Sequence, residues 1–434
     1  MLTELRLKSI GPGPLFDAKF GTRLNFLTGD NGLGKSFLLD VAWWAATGSW
    51  SGEPALPSPD KKGARPQITA SFQTEGGPVV KLTSRFDFKT QRWLRPRSTL
   101  LSSSIIIYAR IDGGFSVFDP VREFPDRNLS QKLPYEVPAA LARMSHALHL
   151  TNEEVWSGFE FNGTFPCEGL IRDWGRWQRE SNGTSDRPFA SLQEVLRKLS
   201  PPHEELNIGP LERISISDSR DIPTLLLPYG ATPVTVASEG MKRVLGLAYM
   251  LVWAWYEHVR ASKVARQASR RSMVVLIDEL EAHLHPRWQR AILPAILAVA
   301  KVLHPDIELQ LLTTTHSPLV LASAEPLFKR STDCCFLFVE KKRVARLLKL
   351  HWAKQGDAVG WLTSETFGLN QARSQEAETA IDAAEAFMRD DLTALPSGLQ
   401  TKGQIHRELV RLLPDHDPFW PRWIVTAEPL RIPG

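Results

Sequence analysis

Three short polar motifs in this chain carry residue types suited to phosphate chemistry, and each follows an apolar run. The first is Gly29-Asp30-Asn31-Gly32-Leu33-Gly34-Lys35-Ser36. Its glycines can adopt turn conformations closed to other residues, so successive main-chain N–H groups can converge on phosphate oxygens at the start of a helix. Lys35 would reach the β and γ phosphates, and Ser36 would bind magnesium. Because a strand is expected at Leu24–Thr28 and a helix at Phe37–Ala46, this motif predicts a nucleoside triphosphate site.

The second motif is a pair of carboxylates, Asp278 and Glu279, directly after the apolar run Met273–Ile277. Such a run is typical of a buried parallel strand. Phosphoryl transfer needs a carboxylate for the metal and a group that positions the attacking water. We assign magnesium binding through water to Asp278 and polarisation of the nucleophile to Glu279. Taken alone, the pair is more often a solvated strand end, and it indicates a catalytic site only in combination with the phosphate loop.

The third motif is His316, at the end of an apolar and β-branched strand predicted over Leu309–Thr315. A histidine is more often a packed or surface residue than a functional one. Its position one strand beyond Asp278 favours a role in sensing a γ phosphate.

At these motifs the chain resembles the ABC-type ATPases of the SMC-like, RecF-like and OLD-like branch. Within that branch it looks most like the ATPase subunits of bacterial anti-phage systems of the Septu, PtuA-like kind. Members keep Asn-Gly inside the phosphate loop and a Glu-x-His-Leu-His-Pro run after the Walker B strand. The matching segments are Walker A over Gly29–Ser36, the signature Ala237-Ser238-Glu239-Gly240-Met241-Lys242-Arg243, Walker B with D-loop Asp278-Glu279-Leu280-Glu281-Ala282-His283-Leu284-His285-Pro286, and the switch histidine in Thr315-His316-Ser317-Pro318.

The resemblance implies an ATPase head that uses ATP and Mg²⁺ and works as a dimer. In such dimers the signature serine and glycine of one protomer cap the γ phosphate held by the other, and Ser238 and Gly240 match those positions. A serine hydroxyl and a glycine N–H at a helix start can form an anion site. From the residues alone, an ordinary helix N-cap is the favoured interpretation of Ser238.

The chain departs from the family pattern at three places. Met241 stands where a polar residue is common, and Leu280 replaces a frequent proline. The Q-loop glutamine, which would be the second protein ligand of the metal, stays unassigned among Gln73, Gln91 and Gln131.

The elements predicted around the motifs make the fold class α/β, an ABC-type P-loop NTPase head with a mixed sheet and an antiparallel lobe. Strands are expected at Leu2–Ile10 and Leu15–Leu27, and further strands of the antiparallel sheet at Ile68–Phe72, Val79–Phe88 and Ile105–Tyr108. A strand at Val234–Ala237 precedes a long helix that begins after Ser238, and strands at Cys335–Val339 and Ala345–Leu350 complete the head.

Four regions follow along the chain: the N-terminal lobe of the head at 1–119, an inserted, mostly helical arm at 120–230, the C-terminal lobe at 231–350, and a helical C-terminal extension at 351–434. The helices predicted in the arm are Val137–His149, Glu154–Phe159, Leu170–Gln178 and Leu192–Leu199. Because the arm shows no sustained heptads, a long coiled coil is not expected. In the extension, we expect the aromatic tail Pro418–Trp423 to pack on the chain itself.

The composition is that of a globular protein, with 43% hydrophobic and 23% charged residues in 434. Cys167, Cys334 and Cys335 lack CxxC spacing and are expected to be packing residues. The charged start Met1–Lys8 does not fit a signal peptide, and the apolar stretch Val244–Trp255 falls short of the ~20 residues that span a bilayer. We therefore expect a cytoplasmic protein without a membrane partner.

DNA is a candidate partner, although the net charge of +4 is only mildly basic. Two segments concentrate cations and could contact phosphates with a salt-sensitive affinity, or could be solvated surfaces. They contain Arg260, Lys263, Arg266, Arg270 and Arg271, and Arg85, Lys89, Arg92, Arg95 and Arg97.

An intrinsic nuclease is not expected. Pro305-Asp306 and Glu340-x-Lys342 mimic a PD-ExK pattern, but they belong to strands that frame His316, and no acidic cluster of the toprim kind follows. The leading hypothesis is an ATPase that dimerises on ATP, with higher oligomers left open, and that regulates a neighbouring nuclease, plausibly of the HNH type, in anti-phage defence. A RecF-like DNA-repair ATPase without a nuclease partner and a nucleotide-gated scaffold with negligible hydrolysis are the alternatives.

Overall fold

The computed structural model describes residues 1–58, 65–74, 76–94, 103–125, 144–181 and 188–427. Its strands are β1 (Leu2–Ile10), β2 (Gly13–Lys19), β3 (Leu24–Gly29), β4 (Gln67–Gln73), β5 (Val79–Asp87), β6 (Arg92–Leu94), β7 (Ile105–Ala109), β8 (Phe115–Phe118), β9 (Phe124–Pro125), β10 (Met144–Ser145), β11 (Ala147–Leu150), β12 (Phe159–Phe161), β13 (Thr164–Cys167), β14 (Asn207–Glu212), β15 (Ile222–Leu227), β16 (Gly230–Pro233), β17 (Ser272–Ile277), β18 (Glu308–Thr314), β19 (Asp333–Lys341) and β20 (Val344–Lys349).

Helices connect and cover these strands. They are α1 (Lys35–Thr47), α2 (Asn152–Ser157), α3 (Leu170–Glu180), α4 (Pro188–Leu199), α5 (Glu239–Val264), α6 (Pro286–Leu303), α7 (Pro318–Ala324), α8 (Ala358–Leu362), α9 (Gln375–Met388), α10 (Lys402–Leu412) and α11 (Trp420–Ala427). The chain divides into two compact units, Met1–Ala358 and Val359–Gly434.

The first unit is built around an eight-stranded sheet in the order β11-β8-β7-β17-β18-β3-β19-β20. The five strands from β7 to β19 run parallel, and β8, β11 and β20 add antiparallel edges. Every residue of β17 is buried, as expected of a strand covered on both faces. Since Ile277 pairs with both Ala109 and Thr313, the carboxyl ends of β7, β17 and β18 lie at one edge.

A second, antiparallel sheet has the order β2-β1-β4-β5-β6. Its buried face and that of the central sheet share a core with helix α1, which contributes Leu38, Trp43 and Trp44. Phe16 of β2 packs against Phe338 of β19, with ring centroids 5.6 Å apart. The predicted α/β class, with a mixed sheet and an antiparallel lobe, is confirmed.

Two strand predictions in this lobe need correction. The stretch Leu15–Leu27 is not one strand but parts of β2 and β3, separated where the Asn25 side chain bonds the main chain of Gly21 in both directions. The predicted strand Ile105–Tyr108 forms, as β7, but it lies in the central sheet parallel to β17. Its five residues are all buried, as expected of a strand covered on both faces.

The range 120–230 contains more β-structure than predicted. The helices α2, α3 and α4 lie near the predicted positions, but Ala147–Leu150 is strand β11, which pairs with β8, instead of the end of a helix. Residues 137–143 of that predicted helix lie outside the described residues. A hairpin of β12 and β13 and a sheet of β14, β15 and β16 complete the range. The division into an arm and two lobes stays a prediction.

The long helix α5 begins after Ser238, as predicted, and its Val244–Trp255 stretch is buried throughout. The residues before it, expected to be a strand, instead form a 3-10 turn over Val234–Val236. Cys167, Cys334 and Cys335 are buried free thiols, in agreement with packing roles. Within the described chain, no helix combines the length and the apolar character that crossing a membrane requires.

The second unit is a small helical assembly. Its core combines α9, α10 and α11 through alanines of α9, Ile405 and Leu409 of α10, and the aromatic residues Phe419 and Trp423. Arg373 and Asp417 form a bidentate ion pair within it. The expectation that the aromatic tail packs on the chain itself is correct.

Candidate functional site

The phosphate loop connects the carboxyl end of β3 to helix α1. Gly29 has φ +122° and Gly34 has φ +101°, values that favour glycine. A Cβ at Gly29 would lie 2.2 Å from the carbonyl oxygen of Phe338, and one at Gly34 would lie 2.8 Å from Cγ of Pro12. The loop therefore needs glycine at both positions for conformation and for space.

Of the remaining loop residues, one is buried in the core and three are exposed to solvent. Leu33 is buried in the core beneath α1, so it fixes the loop to the head. Asp30, Asn31 and Gly32 are exposed. This arrangement leaves the loop's main chain accessible at the start of α1, where N–H groups without helical partners attract anions.

Lys35 is buried, and its ammonium is held by the loop itself. Nζ donates to the carbonyl oxygens of Gly29, at 2.9 Å, and Asp30, at 2.7 Å. Burial lowers the pKa of Lys35, against the raising effect of nearby carboxylates, of which Glu279 is the strongest. A desolvated cation bonded only to neutral carbonyls is well suited to exchange them for phosphate oxygens.

Ser36 and Asp278 meet at the centre of the site, although 242 positions separate them in the chain. The Ser36 hydroxyl donates to Oδ1 of Asp278 at 2.9 Å. Thr314, the last residue of β18, donates to the same oxygen at 2.8 Å and accepts the main-chain N–H of Glu279 at 2.6 Å. The Thr314 hydroxyl thus positions both carboxylate residues of the second motif.

Ser36 and Asp278 fit a magnesium ion by the chemistry of their donor atoms. A hydroxyl and a carboxylate oxygen are hard ligands, and Mg²⁺ is usually held by one or two such groups together with water and substrate phosphates. The bond between Ser36 and Asp278 brings these two oxygen donors together at the mouth of the phosphate loop.

Glu279 has an unusual backbone for a residue that is not glycine, with φ +49°. Such a conformation costs about 1–3 kcal/mol and persists only where the surroundings hold it. The N–H of Glu279 donates to the Thr314 hydroxyl. Nη2 of Arg243 donates to the carbonyl oxygen of Glu279 at 3.4 Å and to that of Asp278 at 2.7 Å. Glu279, which is predicted to polarise water, is therefore positioned by contacts to its main chain.

His316 follows β18 and is held by Glu281. One carboxylate oxygen of Glu281 accepts the main-chain N–H of His316, and the other accepts the hydroxyl of Thr315 at 2.8 Å. Burial lowers the pKa of the His316 imidazole, and the positive charge of Lys35 lowers it further. A neutral imidazole at neutral pH can exchange a hydrogen bond with a phosphate without a full charge of its own.

Ser238 and Gly240 lie at the start of α5, in a different part of the same head. The Ser238 hydroxyl accepts the N–H of Met241 at 3.3 Å, so the N-cap interpretation holds for the isolated chain. Ser238 is exposed. A Cβ on Gly240 would lie 2.6 Å from the carbonyl of His283, which places the signature beside the D-loop.

None of the Q-loop candidates can be placed at the site. Gln73 bonds the carbonyls of Thr74 and Gly77 at the end of β4, and Gln91 bonds a carbonyl in the β5–β6 turn. Gln131 lies outside the described residues, as do Arg95 and Arg97 of the basic segment. The residue after β7, the strand beside Asp278, is Arg110.

The structure adds four residues that motif reasoning missed. Thr314 was part of a predicted strand and Glu281 and Arg243 were part of quoted motifs, but none was given a role. Asp40, one turn after Ser36 on α1, accepts the hydroxyl of Tyr108 at 3.0 Å, and its pKa is raised by burial. Of these, a helical periodicity argument could have found Asp40, because positions four apart share a helix face.

Comparison with known proteins shows a match to one family model and to individual relatives. The family model described as "AAA domain, putative AbiEii toxin, Type IV TA system" matches residues 24–322. The Septu protein PtuA of Bacillus mycoides is 35% identical over 97 residues, which are 22% of this chain and 12% of PtuA. The Retron Vc95 probable ATPase of Vibrio cholerae is 44% identical over 50 residues, 12% of this chain and 9% of that protein.

The chain thus spans only about a tenth of the length of these two relatives. Among solved structures, it is similar to the SMC head domain from Thermotoga maritima, with 14% identity and a TM-score of 0.39 over 81% of this chain and 99% of that one. It is also similar to a nucleotide-bound structure of the recombination mediator protein RecF, with 13% identity and a TM-score of 0.37 over 81% and 98%. The predicted resemblance to the Septu protein PtuA is confirmed.

Proposed function

Because the chain belongs to the AbiEii-type AAA-domain family, we propose that it binds and hydrolyses ATP with Mg²⁺, that two copies close around the nucleotide, and that this closure regulates a partner nuclease in anti-phage defence. The observation that carries the proposal is the meeting of Ser36 and Asp278 at the mouth of the phosphate loop. The two residues come from motifs that are far apart in the sequence and have different roles in phosphoryl transfer.

The residues around that contact divide the chemistry among them. Lys35 and the N–H groups of the loop bind the β and γ phosphates and offset the charge that develops on them in the transition state. Magnesium, held by Ser36 and Asp278, would supply further neutralisation of phosphate charge. Glu279 polarises the attacking water, and His316 donates to or accepts from the γ phosphate.

Dimerisation is proposed from the position of the signature. Ser238 and the N–H of Gly240 stand at the start of a 26-residue helix, with the serine exposed, so they can meet an anion that approaches from outside. The γ phosphate bound by a second copy is the anion that the family likeness suggests. Closure of the two heads then depends on nucleotide in both.

The substitution Glu279→Gln tests hydrolysis and dimerisation together. It keeps the size of the side chain and removes its ability to polarise water, so we expect turnover to fall by at least ~100-fold while ATP stays bound and a dimer accumulates. Phosphate release and light scattering, each with and without Mg-ATP, provide the measurements. Glu340→Gln, an exposed glutamate near the end of β19, is the matched control.

Three outcomes separate the proposal from its alternatives. Unchanged turnover in Glu279→Gln would remove that residue from its role. A wild-type chain that dimerises on ATP without phosphate release would be a nucleotide-gated scaffold. A wild-type chain that stays monomeric and does not respond to saturating Mg-ATP would contradict the proposal itself.

The nuclease partner is tested separately, by purification with the product of the neighbouring gene with and without ATP. We expect a complex whose nuclease activity changes with the nucleotide. A neighbour from replication or repair, together with ATP-dependent binding to damaged DNA and no associated nuclease, would favour the RecF-like alternative instead.

A further inference from the structure

We propose that Arg243 is a positioning residue that makes the geometry of Glu279 depend on the position of helix α5, and so links the signature of one protomer to its own Walker B motif. The proposal rests on the proposed ATPase function. It assigns a role to a side chain that does not touch the phosphate loop.

The guanidinium of Arg243 joins helix α5 to two other segments of the head through their main-chain carbonyl oxygens. Nη2 donates to Asp278 at 2.7 Å and to Glu279 at 3.4 Å, and Nη1 donates to Arg110 at 2.9 Å. Arg110 follows β7, and Asp278 follows β17. One side chain on α5 therefore holds the ends of two neighbouring parallel strands.

Arginine suits this position because of its shape. Its planar, forked group presents several N–H donors in fixed directions, so it can serve carbonyls on two strands at once. Lysine has a single nitrogen at the end of a flexible stem and cannot reproduce that geometry. A contact that served only to fill space would not require such a fork.

Arg243 lies close enough to the signature residues on α5 to move together with them. Arg243 lies five residues after Ser238, within the first turns of α5, where the main-chain N–H of Lys242 bonds back to the Ser238 carbonyl. A helix moves as a rigid element over such a distance. An anion that engages Ser238 and Gly240 will therefore shift Arg243 together with the helix start.

Glu279 is sensitive to such a shift because its backbone is held in a left-handed conformation from both sides. Thr314 holds its N–H, and Arg243 holds the carbonyls of Asp278 and Glu279. Residues in sparsely populated conformations relax when one restraint is withdrawn. Of these two residues, Thr314 belongs to β18 and Arg243 to α5, so only the restraint from Arg243 changes when α5 moves.

The surroundings leave room for the helix start to move. A small groove of about 80 Å³ lies beside Arg243, with Asp112, Trp156, Lys242 and His283 among its lining residues. Tightly packed elements resist small shifts, whereas an element that faces a groove can move without overlap. The first turns of α5 have such a groove on one side.

The experiment compares Arg243→Met with Arg260→Met, measured without DNA. Arg260 lies on the same helix and pairs with Glu257, so the control makes the same chemical change away from the site. We expect Arg243→Met to lower kcat for ATP at least ~10-fold while KM stays within about threefold, and Arg260→Met to match the wild type. Arg243→Lys should not restore kcat, whereas added methylguanidinium should restore part of it in Arg243→Ala.

A structural role alone would lower the melting temperature and change kcat and KM together, without chemical rescue, and that result would overturn the inference. So would a kcat for Arg243→Met equal to that of Arg260→Met. If the wild-type chain releases no phosphate, the proposed hydrolysis fails, but the coupling is still read by hydrogen exchange at 278–284. ATP should increase protection there in the wild type and in Arg260→Met but not in Arg243→Met, and equal protection in all three would refute the coupling.

Discussion

The substitution Thr314→Val tests whether one hydroxyl positions both carboxylate residues of the site. Thr314 is fully buried and its Oγ1 donates to Asp278 and accepts the N–H of Glu279. Valine keeps the branched shape of the side chain but removes the hydroxyl. The neighbour Thr313 provides a matched control, because it is also fully buried and its hydroxyl donates only to the main-chain carbonyls of Ile277 and Thr314.

The magnitude follows from the two hydrogen bonds. A bond to a charged group contributes about 1.5–3 kcal/mol, and leaving a buried N–H without its partner costs about 1–3 kcal/mol. Thr314→Val should therefore destabilise the head by about 3 kcal/mol. Thr313→Val leaves behind carbonyls that keep their strand partners, so we expect a loss of only about 1 kcal/mol.

The functional effect should separate the two variants more clearly than stability does. Residues that orient a metal ligand change metal affinity or activity by about 10–100-fold when they are removed. We expect the Mg²⁺ concentration for half-maximal ATP turnover to rise about tenfold in Thr314→Val and to stay at the wild-type value in Thr313→Val. Urea unfolding and Mg²⁺ titrations of phosphate release are the two assays.

Equal Mg²⁺ dependence in the two threonine variants would refute this reasoning. It would mean that Asp278 keeps its position through Ser36 or through contacts with the bound nucleotide. A loss of stability in Thr314→Val no larger than in Thr313→Val would show that the N–H of Glu279 finds water when the hydroxyl is gone.

Two further predictions concern the loop and the core. Gly29→Ala should lower the melting temperature and the ATP affinity more than Gly32→Ala. A Cβ at Gly29 would lie 2.2 Å from the Phe338 carbonyl oxygen, whereas a Cβ at Gly32 meets nothing within 4 Å. Thermal unfolding measures the first effect, and binding of a fluorescent ATP analogue measures the second. Burial raises the pKa of Asp173 from its ordinary 3.8 to about 6. The folded state therefore binds the carboxyl proton of Asp173 more tightly than the unfolded chain does. Its contribution to stability is present below pH 3.8 and is lost as pH rises through about 6, a change of up to about 3 kcal/mol that Asp173→Asn should remove from urea unfolding curves.

Much of the nucleotide site could be predicted from the chain alone because its chemistry is local. Glycines at fixed spacing before Lys35 and Ser36 determine the turn. The apolar run before Asp278 and the apolar and β-branched run before His316 predict two buried parallel strands. Parallel strands deliver their carboxyl ends to one edge of a sheet. The structure brings Ser36 and Asp278 together there.

The supporting residues could not be predicted because their roles depend on contacts between distant segments. Thr314 has the β-branched character of any strand residue, and its link to Asp278 exists only through the pairing of β17 and β18. Arg243 has the same helix propensity whether its guanidinium faces water or the carbonyls of Asp278 and Arg110. No spacing in the chain distinguishes these cases.

The sequence by itself determined the phosphate loop, the paired carboxylates, the position of His316 and the strands that carry them, since each depends on backbone conformation and hydrophobic pattern over a few residues. Only the tertiary structure decided that β7 joins the central sheet, that β11 pairs with β8 from a range expected to be helical, and that Arg243 binds two strand ends. Short strands carry weak local signals, and their stability comes from pairing with partners far along the chain. Every residue has a main-chain carbonyl, so residue type does not indicate which carbonyls accept a hydrogen bond from a distant side chain. Such bonds can be identified only in the folded structure.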